Sequence, residues 1–347
     1  MPYEPPPDPR AARSTAIWRW VSFALVALLV ALLAYLGYVG YAGSGQLAEP
    51  PAPSRDCRTP GIAFGWNYEA INYDAASDAA LAEMPDPTDC DRQGEPAGPD
   101  LLTPDGLALA GWYVPSASGS GPAGPTVVLA HGHGANKSGM LARASVLHAD
   151  YNLVLFDFRN HGQSEDALTT VGIVERADLR TIIDWLEGAK GPSQIAVLGV
   201  SMGGATAANE AVGDPRVDAL VLESTHATLA NAIQARLERA GYPLSLPGAW
   251  SVLLGGLIRS GQDMSAADPV QAVDRLRDRP VLIIGAGRDD AVGASDADDL
   301  LAAALEGGAE AELQVCEEAG HGGSLSSCED GYGDWVLGFL RRALAPS

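Results

Sequence analysis

From Val21 to Ala42 the chain carries no charged residue, and the run VSFALVALLVALLAYLGYVGYA has 22 residues. At about 1.5 Å of rise per residue such a helix spans about 33 Å, enough for a bilayer core. It has no polar face, which sets it apart from a surface helix of a globular domain. Trp18 and Trp20 stand at one end and Tyr35, Tyr38 and Tyr41 toward the other, as interfacial anchors do. Farther along the pattern changes. Short, largely apolar runs predict buried strands at Thr126–Ala130, Asn152–Phe156, Gln194–Leu198, Val217–Leu222, Val281–Ile284 and Leu313–Val315. Between them, helical patterns are predicted over Met140–Asp150, Val174–Gly188, Gly203 onward, Leu300–Leu305 and Trp335–Leu344. Leu101–Thr103, the turn Pro104-Asp105-Gly106 and Leu107–Val114 read as a hairpin.

Apolar strands alternating with helices predict an α/β fold, with a mostly parallel central sheet covered by helices on both faces. Sheets of this kind place their chemistry at the carboxyl ends of strands. The stretch between Glu223 and Val281 is too long for a simple crossover and predicts a small helical cap at about residues 226–268. Its Leu244, Leu246, Trp250, Leu253, Leu254 and Leu257 either face an acyl group or pack the sheet, and packing is the expectation for most of them. The expected organisation is a tail over 1–16, a transmembrane anchor over 17–42, a linker and N-terminal extension over 43–97, and a catalytic domain over 98–347. The Pro-rich opening MPYEPPPDP is expected to be disordered, and residues 43–60 read as linker.

Charge adds orientation. The net charge is −22, which excludes a nucleic-acid partner because nothing would neutralise a row of phosphates. The first 42 residues hold Arg10, Arg13 and Arg19 against Glu4 and Asp8, so the acidity lies after the apolar run. The positive-inside rule then puts the tail in the cytoplasm and the domain outside. Cleavage after Gly40-Tyr41-Ala42 would instead secrete the domain, but the run is longer than the ~7–15 apolar residues of a signal peptide. Cys57, Cys90, Cys316 and Cys328 show no metal-ligand spacing. In an oxidising compartment they allow three pairings, of which the local ones, Cys57–Cys90 and Cys316–Cys328, are preferred.

The chemistry centres on Gly199-Val200-Ser201-Met202-Gly203, a G-x-S-x-G between a predicted strand and a helix. The glycines permit a tight turn that exposes Ser201 Oγ, and the Met202 N–H at the helix start is one candidate oxyanion donor. His131-Gly132-His133-Gly134 follows an earlier strand, and the His133 N–H is the second candidate donor. His321, in a glycine-rich loop and last of the histidines, is the candidate base. His161 is expected to shape a turn, His148 to sit in a helix and His226 to line the pocket. For the acid, Asp289 leads, with its neighbour Asp290 and the strand-end Glu223 left open.

HGHGANKSGM, LVLFDFRNHGQSE, GVSMGGA, GRDDAV and AGHGG together resemble the α/β-hydrolase superfamily, and more narrowly its membrane-anchored, peptidase- and depalmitoylase-related serine hydrolases. The resemblance covers about residues 98–345. It implies an acyl-enzyme mechanism with Ser201, Asp289 and His321 as the triad, and no metal, nucleotide or flavin signature appears in the sequence, so no cofactor or metal is expected. The family's acid loop commonly reads H-G-x-x-D-x-x-V-P. Here Gly285-Ala286 replace His-Gly and Gly293 replaces the proline, and alignment on Val292 selects Asp289. The expected function is hydrolysis of a carboxylic ester or thioester on a small-molecule or lipid-like acyl substrate. A peptidase of the same fold and an inactive, membrane-tethered binding module are the alternatives.

Overall fold

The computed structural model describes residues 9–50, 58–72, 100–293 and 295–345, with side chains from Trp18 onward. The helices are α1 (Pro9–Ala48), α2 (Pro60–Phe64), α3 (Leu141–Leu147), α4 (Glu175–Ala189), α5 (Met202–Ala211), α6 (Leu229–Arg239), α7 (Ser245–Ser260), α8 (Pro269–Val273), α9 (Asp296–Glu306), α10 (Ser324–Ser327) and α11 (Glu329–Ala343). The strands are β1 (Glu69–Ile71), β2 (Gly111–Val114), β3 (Thr126–Ala130), β4 (Asn152–Phe156), β5 (Ile195–Val200), β6 (Val217–Glu223), β7 (Pro280–Ala286) and β8 (Glu310–Cys316).

The strands form one sheet in the order β1-β2-β4-β3-β5-β6-β7-β8. β1 and β2 are antiparallel additions at one edge, and every pair from β4 to β8 is parallel. β3, β4 and β5 are buried along their whole length, which is why each reads as an unbroken apolar run. Alternate residues feed two cores, as the period of a strand requires. Val128, Val154 and Val197 pack with Leu179, Ile182 and Ile183 of α4. Val127, Leu153 and Leu198 pack on the other face with Leu141 and Leu147 of α3 and with Val336 and Phe339 of α11.

The N-terminal region departs from the expected organisation. α1 begins at Pro9, within the expected tail, and continues through residues 43–48, which were expected to be linker. The reason is packing and capping. Gly43 lies against Val252, the Arg259 side chain donates to Ser44 Oγ, and both α1 and α7 carry on past the expected boundary together. The last carbonyls of α1 also find partners in the domain. Leu47 O accepts from the His133 ring at 2.9 Å, and Ala48 O accepts from the Thr169 N–H at 3.0 Å. Residues 58–72 belong to the domain as well, because β1 pairs with β2. The expected Cys57–Cys90 pairing lies outside the described residues. The expected hairpin is reduced to a single bridge between Leu102 and Ala108, with regular pairing starting at Gly111.

α6, α7 and a 3₁₀ turn at Met264–Ala267 make the cap. Of its six singled-out apolar residues only Leu253 is buried; Leu244, Leu246, Trp250, Leu254 and Leu257 are exposed and pack no sheet. From Trp18 to Ala48, α1 is long and apolar enough to cross a membrane.

Candidate active site

β5 delivers Ser201 into a turn so tight that its backbone takes φ 55°, ψ −117°, a conformation L residues avoid. Such strain costs on the order of 1–3 kcal/mol and persists only where the surroundings enforce it. Here they do. A Cβ at Gly199 would collide with the backbone of Gly203, and one at Gly203 with the carbonyl of Ala130. The two glycines therefore let β5, β3 and α5 meet at the turn, and the serine side chain stays partly exposed.

The loops after β7 and β8 bring the other two residues to this turn. His321 Nε2 lies 2.9 Å from Ser201 Oγ. His321 Nδ1 lies 2.9 and 3.0 Å from the two oxygens of Asp289. Asp289 Oδ1 also accepts the Ala291 and Val292 N–H groups at 2.8 and 2.9 Å. Burial works to raise the Asp289 pKa. The His321 hydrogen bond and charge, followed by these amides, outweigh burial and hold the carboxyl below its ordinary range. Asp290 is exposed, and among the described residues no side chain bonds to it. Glu223 is buried and turned the other way.

Met202 opens α5, so its N–H is one of the first-turn donors without a partner inside the helix. Gly132 abuts Ser201, with a Cβ built there 3.4 Å from that of Ser201, which puts the peptide of His133 beside the turn. Three imidazoles fix this loop. His131 Nδ1–H donates to Gly132 O at 2.8 Å, and its Nε2 accepts the Phe158 N–H at 3.1 Å. His161 Nε2 accepts the Gly134 N–H at 3.1 Å. His133 spends its Nε2–H on Leu47 O of α1. None of these rings faces the serine. His148 caps the end of α3 and donates to Pro115 O, and His226 is buried rather than lining an open pocket.

Two of these rings predict an acid response. Burial, with repulsion from His161, pushes His131 down to about 3. Burial, with repulsion from His321, pushes His226 down to about 4. Free imidazole titrates near ~6.5, so above that pH both states are neutral and the stability is intact. As pH falls from about 6.5 toward 4, the unfolded chain binds protons that the fold refuses, and stability is lost. Urea midpoints measured from pH 7 down to 4 are expected to fall steadily; a flat profile contradicts these assignments.

Glu223, left open as an acid on sequence, belongs instead to a buried network whose other members, Arg143 and Tyr332, had no sequence reading. Glu223, at the end of β6, accepts from Arg143 Nε and Nη2 of α3 at 2.7 and 2.6 Å and from the Tyr332 hydroxyl of α11 at 2.8 Å. Burial opposes the Arg143 charge, but Glu223 beside it wins and raises its pKa. The same guanidinium donates to Gly322 O at 2.7 Å, and the Gly322 N–H donates to Ser224 Oγ at 3.0 Å. Gly322 follows His321, so this network grips the histidine loop from behind. The only sequence signal was Glu223 itself, a carboxylate closing an apolar strand, which needs a buried cation.

A disulfide between Cys316 and Cys328, 12 residues apart, closes the same loop around His321. Cys328→Ser is expected to lower stability by about 2–4 kcal/mol and to lower turnover of any substrate that uses His321. Chemical denaturation and kinetics under identical non-reducing conditions check both.

Comparison with known proteins fits this geometry. The family described as alpha/beta hydrolase fold matches residues 125–280. An uncharacterised Mycobacterium tuberculosis protein, Rv2307c, is 34% identical over 218 residues, covering 61% of this chain and 69% of the relative. YfhR of Escherichia coli K12, also uncharacterised, is 27% identical over 149 residues, 42% of this chain and 52% of YfhR. Among solved structures, the Pyrococcus furiosus esterase Pf2001 superposes with a TM-score of 0.62 at 22% identity, over 84% of this chain and 98% of that one. A Pseudomonas aeruginosa hydrolase gives 0.52 at 22% identity, over 69% and 97%. With its strand order, its strained Ser201 turn and a 34% identical relative spanned over two thirds, the chain belongs to the alpha/beta hydrolase fold family.

Proposed function

We propose that the protein is a membrane-anchored serine hydrolase that cleaves a carboxylic ester or thioester through an acyl-enzyme. The observation that carries this is His321 bridging Ser201 and Asp289, with 2.9 Å on each side. In the proposed reaction His321 Nε2 takes the Ser201 Oγ proton as the oxygen attacks the acyl carbonyl. Asp289 holds the Nδ1–H tautomer and stabilises the imidazolium. The N–H groups of Met202 and His133 receive the oxyanion, and the Nε2 proton passes to the leaving alkoxide or thiolate. Water, deprotonated by the same nitrogen, then releases the acid. An esterase among the fold neighbours fits this activity.

α1 is the proposed anchor, with residues 1–16 cytoplasmic and the domain outside. We place the chain with the membrane-anchored hydrolases related to depalmitoylases. The disulfide suits an oxidising compartment. Tyr35, Val39 and Gly40 all precede the Ala42 cleavage position; Tyr35 bonds Pro243 just before α7, and Val39 and Gly40 lie against Gly248 and Ser251 of α7, which supports an uncleaved helix.

Fluorophosphonate labelling with mass-spectrometric site mapping tests the chemistry. A single adduct on Ser201 is expected, and none on Asn160 or other loop positions near the site. An unlabelled, folded protein would sink the proposal and leave an inactive binding module. A screen of p-nitrophenyl esters against acyl thioesters and aminoacyl amides then ranks the leaving group.

A further inference from the structure

α7 is apolar all round. Its inner face packs through Gly248, Ala249, Val252 and Leu253. Its outer face carries Leu246, Trp250, Leu254, Leu257 and Ile258 at helical spacing, with Trp250 56% and Ile258 77% exposed. The one charged residue of α7 is Arg259, in its last turn. A helix on the wet surface of a domain carries charge on its outer face; one apolar on every side belongs in a core or in lipid.

The course of α1 identifies what covers that face. α1 and α7 run side by side in the same direction. Leu36 O accepts from Ser251 Oγ, and farther along Tyr41 O and Ser44 Oγ accept from the Arg259 guanidinium. The crossing is close because it is built on small residues. A Cβ at Gly40 would strike Ser251, and one at Gly255 would strike the carbonyl of Gly40. Small-residue crossings are the packing device of helices in membranes.

The depth of α7 follows. From Trp20 to Tyr38 the helix rises about 27 Å, close to the thickness of a hydrocarbon core, so the two aromatic groups mark its edges. The Tyr35 hydroxyl donates to Pro243 O at 2.5 Å, and Leu36 meets Ser251. The first half of α7 therefore lies across the outer edge, level with Tyr35 to Gly40 of α1. Arg259 stacks on the Tyr41 ring at 4.4 Å, at headgroup height.

Between α1, α6 and α7 lies a cavity of about 740 Å³. Val39 and Ala42 of α1, Leu237 of α6 and Val252 of α7 give it an apolar wall, Glu49 and Arg236 line it as well, and so do His133 and Gly134. These last two belong to the loop beside Ser201, which is tied to α1 through the His133–Leu47 bond.

We infer that α7 is seated in the outer leaflet beside α1, and that the cavity between them takes the acyl chain of a membrane lipid ester, presented to Ser201 from the bilayer. The acyl-chain half of this inference rests on the serine hydrolase reading; the seating of α7 does not.

Two measurements on the full chain in phosphatidylcholine nanodiscs test it. In the first, a phosphatidylcholine with a diazirine in its acyl chain is photolysed and the adducts are mapped by mass spectrometry. Adducts at Leu246, Trp250 and Leu254, besides those on α1, are expected. Adducts on α1 alone, or a protein–protein crosslink through the α7 face, would overturn the seating. The second compares a bilayer-resident monooleoylglycerol with water-soluble p-nitrophenyl acetate. Ala42→Trp is expected to lower the long-chain to short-chain ratio of kcat/KM by about tenfold or more, and Ala42→Leu by less. An unchanged ratio would overturn the portal while leaving the hydrolase reading intact. A wild-type protein inert toward both esters and toward fluorophosphonate would fail the hydrolase reading and the portal together, and the photolabelling of α7 would still score the seating.

Discussion

Ser201→Ala is expected to lower kcat for a reactive ester by roughly 10⁴–10⁶-fold with little change in KM. Among the described residues, the Ser201 oxygen is the hydroxyl that His321 Nε2 meets, at 2.9 Å, and in the proposed reaction it is the group deprotonated. Removing it would leave the proposed oxyanion donors at Met202 and His133 and substrate binding, which together retain only a modest advantage over water. Asp289→Asn is expected to cost about 10⁴-fold, because the amide favours the wrong imidazole tautomer. The double variant Ser201→Ala/His321→Ala is expected to lose little more than Ser201→Ala alone, since the three side chains act as a unit. The fold bears the change easily: one side-chain hydrogen bond contributes about 1 kcal/mol, so melting stays within a few degrees of the wild type. Turnover within tenfold of wild type, at a protein concentration that rules out contaminants, would remove Ser201 from the proposed mechanism.

The parts of this molecule that were legible in the sequence are those where local chemistry and tertiary placement agree. β3 and β4 were readable to the residue because strands buried on both faces must be apolar throughout. The turn at Ser201 was readable because close approach forces glycine at 199 and 203. The network behind His321 was not. Arg143 lies on a helix and Tyr332 on another, nearly 190 residues apart, and nothing local separates a buried arginine from a solvated one. The end of α1 was misread for a related reason. Gly43 and Gly45 look like helix breakers. The missing side chain of Gly43 instead lets α1 lie against Val252, and packing outweighs propensity. β1 has three residues, too few for any period to show, and it forms because the edge of β2 is available to it.

The outer face of α7 failed in the opposite direction. Its apolar residues gave a clear pattern, and the ordinary inference from apolar to buried in protein was the wrong one for five of six. The pattern was right about water avoidance; what it could not name was the solvent. On the proposed seating, α1, read first as a mere tether, names that solvent as lipid, because it is packed against α7 and caps onto the loop of His133.

Arg143→Ala is expected to have the largest effect on stability, a loss of about 3–5 kcal/mol. Both charges of the pair are buried, and removing the guanidinium strands Glu223 with only the Tyr332 hydroxyl for company. For a domain of this size that loss is about 6–20 °C in melting temperature. Stability alone does not show that the network positions His321, so a second variant separates the roles. Arg143→Met/Glu223→Leu/Tyr332→Phe removes every member of the buried polar set, and such apolar replacements are often near neutral or stabilising. That variant still lacks the donor to Gly322 O, and the loop carrying His321 loses its 2.7 Å tether. It is therefore expected to fold with near wild-type stability but with kcat lowered by about 10- to 100-fold and KM little changed, since a displacement of about 1 Å in a reacting group costs that much. Full activity in the stable triple variant would reduce Arg143 to a packing residue. Arg143→Ala within 1 kcal/mol of wild type would mean that water reaches Glu223, and with it the back of the histidine loop.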